Sequence, residues 1–114
     1  MGLGFQPWWR DALRQATEVL REKYPPRRNG KVLKVRVSVR RLANKLGLCT
    51  EGQGGVSICI DHRANWTEAL YVLSEEWAHA VVGPEEGHSV AWGRCYAQII
   101  QTFEEAGFFE RSAR

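Results

Sequence analysis

The apolar positions of this chain follow a helical spacing in some stretches and a strand spacing in others. Trp9, Leu13, Ala16, Leu20 and Tyr24 form one stripe at steps of three and four, behind a Pro7 suited to a first helical turn. Arg10, Arg14, Glu18, Arg21 and Glu22 fall largely off that stripe, which predicts an amphipathic N-terminal helix with a solvated outer face. Pro25-Pro26 stops it, and "RRNG" reads as a basic loop. In "KVLKVRVSVRRL" the period drops to two. Leu33, Val35, Val37 and Val39 share one face, while Lys34, Arg36, Ser38 and Arg40 share the other, as in a half-buried strand with a basic outer face. "GGVSICID" predicts a second strand with Val56, Ile58 and Ile60 inward. The glycine-bearing stretch between them makes a long turn, with room for a short extra strand over 46–50.

Helical spacing returns at Asn65. With Glu68 three positions later, Asn65 has the form of a capping box. Trp66, Ala69, Leu70, Leu73, Trp77, Ala80 and Val81 give a broad stripe, and Gly83-Pro84 ends the helix. A last helix over 89–106 carries Trp92, Tyr96, Ile99 and Phe103 inward, with Gly107 as its C-terminal cap. The order helix, strand, long turn, strand, helix, helix defines an α+β fold with a small antiparallel or mixed sheet. A length of 114 residues suits one domain, 1–114, with one modest core.

Composition adds little except through its tryptophans. Five in so short a chain predict a core built on large aromatic anchors. No apolar run approaches a membrane span, so no membrane partner is expected. The first ten residues lack the order of a signal peptide, and Gln6 stands at the Ser/Thr position of a myristoylation signal. Cys49, Cys59 and Cys95 form no C-x-x-C pair and read as free thiols in a reducing cytoplasm, a Cys49–Cys59 contact across a hairpin being the alternative.

The chemistry concentrates in "LSEEWAHAVVGPEEGHSVAWG", residues 73–93. Glu75 and His79 are four apart, so they project from one side of the helix and can grip one ion. Glu76 sits beside them, within reach of a water on that ion. His88 follows a tight turn that can bring a third ligand back to the first two. Three protein ligands, Glu75, His79 and His88, with one open position make the layout of a catalytic zinc site, in which Glu76 is the general base for peptide hydrolysis. A carboxylate at the first position lowers the net charge on the metal and moves its preference towards harder ions. The zincin signature H-E-x-x-H has histidine where this chain has Glu75.

The same stretch resembles the active-site region of SprT-like zincin metallopeptidases, particularly short phage and bacterial versions. Those carry a helical H-E-W/L-x-H-A, a turn, and an H-x-x-x-W/F segment opening the next helix. Glu76, Trp77, His79, Ala80, His88 and Trp92 match, and position 75 departs. The resemblance is sharp over about thirty residues and architectural elsewhere. It implies a zincin-like domain, one Zn2+ per chain, Glu76 as catalytic base, His79 and His88 as zinc ligands, and a protein or peptide substrate. The departure leaves a second reading open, an inactive zincin-fold module that binds protein or nucleic acid.

Three further groups bear on function. Lys34, Arg36 and Arg40, with Arg27, Arg28, Lys31, Arg41 and Lys45 nearby, are denser than a net charge of +3 suggests and could hold phosphates non-specifically. Protection of an exposed strand edge explains the same charges. His62 precedes the central helix and is a candidate for the missing imidazole. Arg94 and Tyr96 are candidates for polarising a carbonyl, and Trp92 for packing against the central helix.

Overall fold

The computed structural model describes residues 7–112 and is α+β, with three helices and two small sheets. The first helix, α1 (Arg10–Lys23), buries Leu13, Ala16 and Leu20 of the predicted stripe, with Trp9 buried just ahead of it, and also buries Ala12 and Thr17 beside that stripe. After Pro25-Pro26 the basic stretch is not a loop. Arg27–Arg28 (β1) pairs antiparallel with Lys31–Val32 (β2) across Asn29 and Gly30, whose φ values of 53° and 79° are both left-handed. That pair of positive φ values is the tight hairpin turn that Asn-Gly favours.

The larger sheet has three strands: β3 (Val35–Arg40), β4 (Gly47–Gly52) and β5 (Gly55–Asp61). Their order is β3-β5-β4, with β5 parallel to β3 and antiparallel to β4, so the sheet is mixed and both β3 and β4 are edges. Register and alternation put Val35, Val37, Val39, Val56, Ile58 and Ile60 on the inner face with Gly47, Cys49 and Glu51. Cys59 falls on the outer face, so Cys49 and Cys59 point away from each other across the sheet and all three thiols are free.

Helix α2 (Trp66–Val82) lies across the inner face, and α3 (Val90–Glu105) packs on α2. The Asn65–Glu68 capping box is formed in both directions. Because α2 meets the sheet, α1 and α3 on different sides, its buried surface extends beyond the predicted stripe to Val72, Ser74 and Ala78. The tryptophans tie the layers together as well as filling them. Trp9 donates its indole N–H to Ala64 O (2.9 Å), Trp66 to Phe108 O (2.6 Å) and Trp77 to Tyr24 O (2.8 Å). Each ring thus buries a large apolar area while its polar edge is satisfied by a carbonyl distant in sequence. Among the described residues no helix is long and apolar enough to cross a membrane.

Asp61 ends β5 as a fully buried carboxylate. It accepts from Arg63 Nε (2.8 Å) and Nη2 (2.8 Å) and from the main-chain N–H groups of Leu42 (2.7 Å) and Arg63 (2.8 Å). These bonds fix the turn that aims α2 beneath the sheet.

Candidate functional site

Glu75, Glu76 and His79 stand half-buried on the C-terminal half of α2. The helix turns at Gly83 (φ 102°), passes through a short 3-10 turn at Pro84–Glu86, and reverses at Gly87 (φ 56°) into α3. That reversal returns His88 to α2, where its ring centroid lies 5.0 Å from that of His79. Ser89 caps α3 by accepting from Trp92 N. Trp92 stacks on both imidazoles, at 5.2 Å from His79 and 4.3 Å from His88, and donates its indole N–H to Glu75 O at 3.2 Å. Tyr96 continues the stack at 5.2 Å from Trp92.

The opposite wall is β4. A cleft of about 330 Å³ is lined by Gly47, Cys49 and Glu51 on one side and by Glu76 and His79 on the other, with Pro84 at its end. Gly47 sets its width: a Cβ there would lie 2.2 Å from Val72 Cγ1 and 3.2 Å from Glu76 Oε2. The other end of β4 is held by Arg28, whose Nε and Nη2 bind the Glu51 carboxylate at 3.0 and 2.7 Å. The same guanidinium donates to Ala80 O at 2.7 Å, so one side chain joins the β1–β2 hairpin, β4 and the end of α2. No signal in the sequence marked Arg28 as more than one of a basic group.

The electrostatics follow from burial and crowding. Burial, followed by repulsion from Glu75, raises the Glu76 carboxyl above its ordinary value, against the pull of His88 and Lys45. Burial, helped by His88 and opposed by Glu75, lowers His79. The Cys49 thiol is pushed up to about 11 by burial and then by Glu76 and Glu51, so it is no nucleophile at neutral pH.

The rings of His79 and His88 therefore meet at one corner, with Glu75 and Glu76 on the same stretch of α2. Two imidazoles and two carboxylates are suitable in kind for zinc. Their present arrangement is not a closed ligand cage: among the described residues no three His, Cys, Asp or Glu side chains gather around one point, and the two imidazoles lie ring against ring. His62 is elsewhere. It contacts Asp61 Oδ1 at 3.4 Å, before the start of α2, about 20 Å along the helix from His79. Arg94 is exposed on α3. Lys34, Arg36 and Arg40 are exposed along β3, remote from the corner. Comparison of the chain with family models, with curated proteins and with solved structures finds no significant match.

Proposed function

We propose that this chain is a SprT-like, zincin-type metallopeptidase domain in which Glu75, His79 and His88 hold one zinc ion and Glu76 is the general base. The observation that carries this reading is the meeting of the E-E-x-x-H face of α2 with His88 from the next helix, beside a cleft walled by an edge strand. Zinc held there would supply Lewis acidity to a water and a peptide carbonyl. The chain's own groups account for the remaining needs. The Glu76 carboxylate faces the cleft and can take a proton from water. The outer edge of β4, which pairs with no strand among the described residues, can receive an extended peptide through its main-chain groups. Gly47 keeps that strand close enough to Glu76 for the two to act on one substrate.

A second reading, an inactive module of the same fold, draws on one observation. His79, His88 and Trp92 already satisfy one another by stacking, an arrangement that holds without an ion and must open to admit one. The test is metal content by plasma mass spectrometry on tag-free protein and its His79→Ala variant, followed by peptidase assays with Glu76→Gln. About one zinc per chain, lost in His79→Ala, with turnover lost in Glu76→Gln, supports the enzyme. Zinc without turnover favours the inactive module. An empty site in zinc-supplemented buffer overturns the metal reading.

A further inference from the structure

The sheet has a second open edge, on the side away from the cleft. Lys34 O and Arg40 O accept from Val56 N and His62 N, so the even-numbered residues of β3 turn their main-chain groups towards β5. The odd-numbered ones face outward. Val35 O already has a partner, Arg21 Nη2 at 2.7 Å. The N–H and C=O groups of Val37 and Val39 point the same way, and no strand pairs with them among the described residues. They border a groove of about 290 Å³ between β3 and α1, lined on the helix side by Arg10, Arg14 and Arg21.

We infer that this groove docks an acidic peptide, which adds to β3 as a fourth strand of the sheet. Side chains of an added strand point alternately to the two faces. On the inner side they meet Arg10 and Arg14, and on the outer side Arg36 and Arg40, so cationic groups await both rows. Arg14 and Arg21 have acidic neighbours in Asp11 and Glu18, whereas Arg10, Lys34, Arg36 and Arg40 make no salt bridge among the described residues. A second copy of the chain would set arginines against arginines at the same edge, which disfavours self-pairing. The unpaired main-chain groups favour a peptide over a nucleic acid, since a phosphate backbone has no complementary ladder of alternating donors and acceptors. The site lies on the edge of the sheet opposite β4 and does not depend on metal at the α2–α3 corner.

The test uses a fluorescent octapeptide of alternating Glu and Val, read by anisotropy at low salt. Two controls accompany it, the same peptide with Lys for Glu and the same acidic peptide N-methylated on alternate amides. The acidic peptide should bind and shift the amide resonances of Val37 and Val39. N-methylation should weaken it about tenfold or more, the worth of two modest hydrogen bonds. Arg10→Gln/Arg14→Gln should weaken it by about tenfold and reduce its salt dependence. Equal binding of the N-methylated peptide would overturn strand addition, and equal binding of the lysine peptide would overturn the charge argument. Tighter binding of a single-stranded oligonucleotide at the same salt would assign the groove to phosphates instead. Absence of all binding would leave edge protection as the sole role of these charges and refute the proposal.

Discussion

Replacing Gly47 with alanine tests whether β4 lies as close to α2 as the structure places it. Gly47 does not have a positive φ, so alanine is compatible with the backbone and the cost is one of contact alone. The added methyl would stand 2.2 Å from Val72 Cγ1, well inside any tolerable carbon–carbon distance. Val72 cannot swing aside easily, because it is buried and β-branched within a helix, where one χ1 rotamer dominates. Overpacking of this kind costs about 1–3 kcal/mol, and reduced freedom of the unfolded chain offsets about 0.4–1 of that. The net expectation is a loss of about 1–2 kcal/mol, or about 4–8 °C in Tm by calorimetry for a domain of this size. Val72→Ala makes the room that is lacking. The double variant should therefore be more stable than the sum of the single losses predicts, by about 1 kcal/mol. A Gly47→Ala protein that melts within a degree of the parent would refute the contact. Strict additivity with Val72→Ala would assign the loss to some other cause.

Two more substitutions probe the supports on either side of the site. Asp61→Asn should cost about 2 kcal/mol at neutral pH in urea denaturation, since it weakens the hydrogen bonds that a buried carboxylate accepts from a half-exposed Arg63 and two main-chain N–H groups. Hydrogen bonds from the Arg63 side chain, working against desolvation and joined by the N–H groups of Arg63 and Leu42, hold the Asp61 carboxyl well below the usual carboxylate range. A depressed folded value means that the contribution is complete above the unfolded value near pH 4 and fades as pH falls below it. The variant should thus lose stability at pH 7 and show a shallower decline into acid; an unchanged acid limb would refute the assignment. Arg28→Lys keeps the charge but loses the fork that binds Glu51 twice while reaching Ala80 O. It should cost about 1 kcal/mol and speed hydrogen exchange in the last turn of α2, and protection equal to the parent would show that the clamp does not hold that turn.

The elements with one strong period were legible. The α1 stripe, the alternation of β3 and the Asn65–Glu68 box each carry their structure in adjacent residues. The β1–β2 hairpin was harder, although its Asn-Gly turn was visible, because its strands are two residues long and too polar to alternate. Strand order was not legible at all. That β5 lies between β3 and β4, parallel to one and antiparallel to the other, depends on a crossover that local sequence does not encode. At the site, helical spacing placed Glu75, Glu76 and His79 on one side, and the Gly-Pro turn brought back His88. The Gly47 contact and the Arg28 clamp join residues distant in sequence, and only tertiary packing reveals them.

The distribution of charged groups sets the α2–α3 corner apart from the rest of the described fold. Elsewhere the chain obeys the ordinary rules: among the described residues no buried side-chain nitrogen or oxygen lacks a partner, and the buried carboxylate of Asp61 is matched by an arginine. At the corner the rules are broken together. Two successive carboxylates, Glu75 and Glu76, are half-buried side by side, and neither has an ion-pair partner among the described residues. Glu76 also faces Glu51 and Cys49 across a cleft that Gly47 keeps narrow, so its charge gains little from the wall opposite. A sequence selected only for stability would place glutamine or an apolar residue there, as it does one turn earlier with Val72 and Leu73. A cation bound between the carboxylates and the imidazoles would offset the repulsion and compensate the desolvation in one step. If the proposed zinc reading holds, such an ion would relieve that crowding, so metal content is the first quantity to measure.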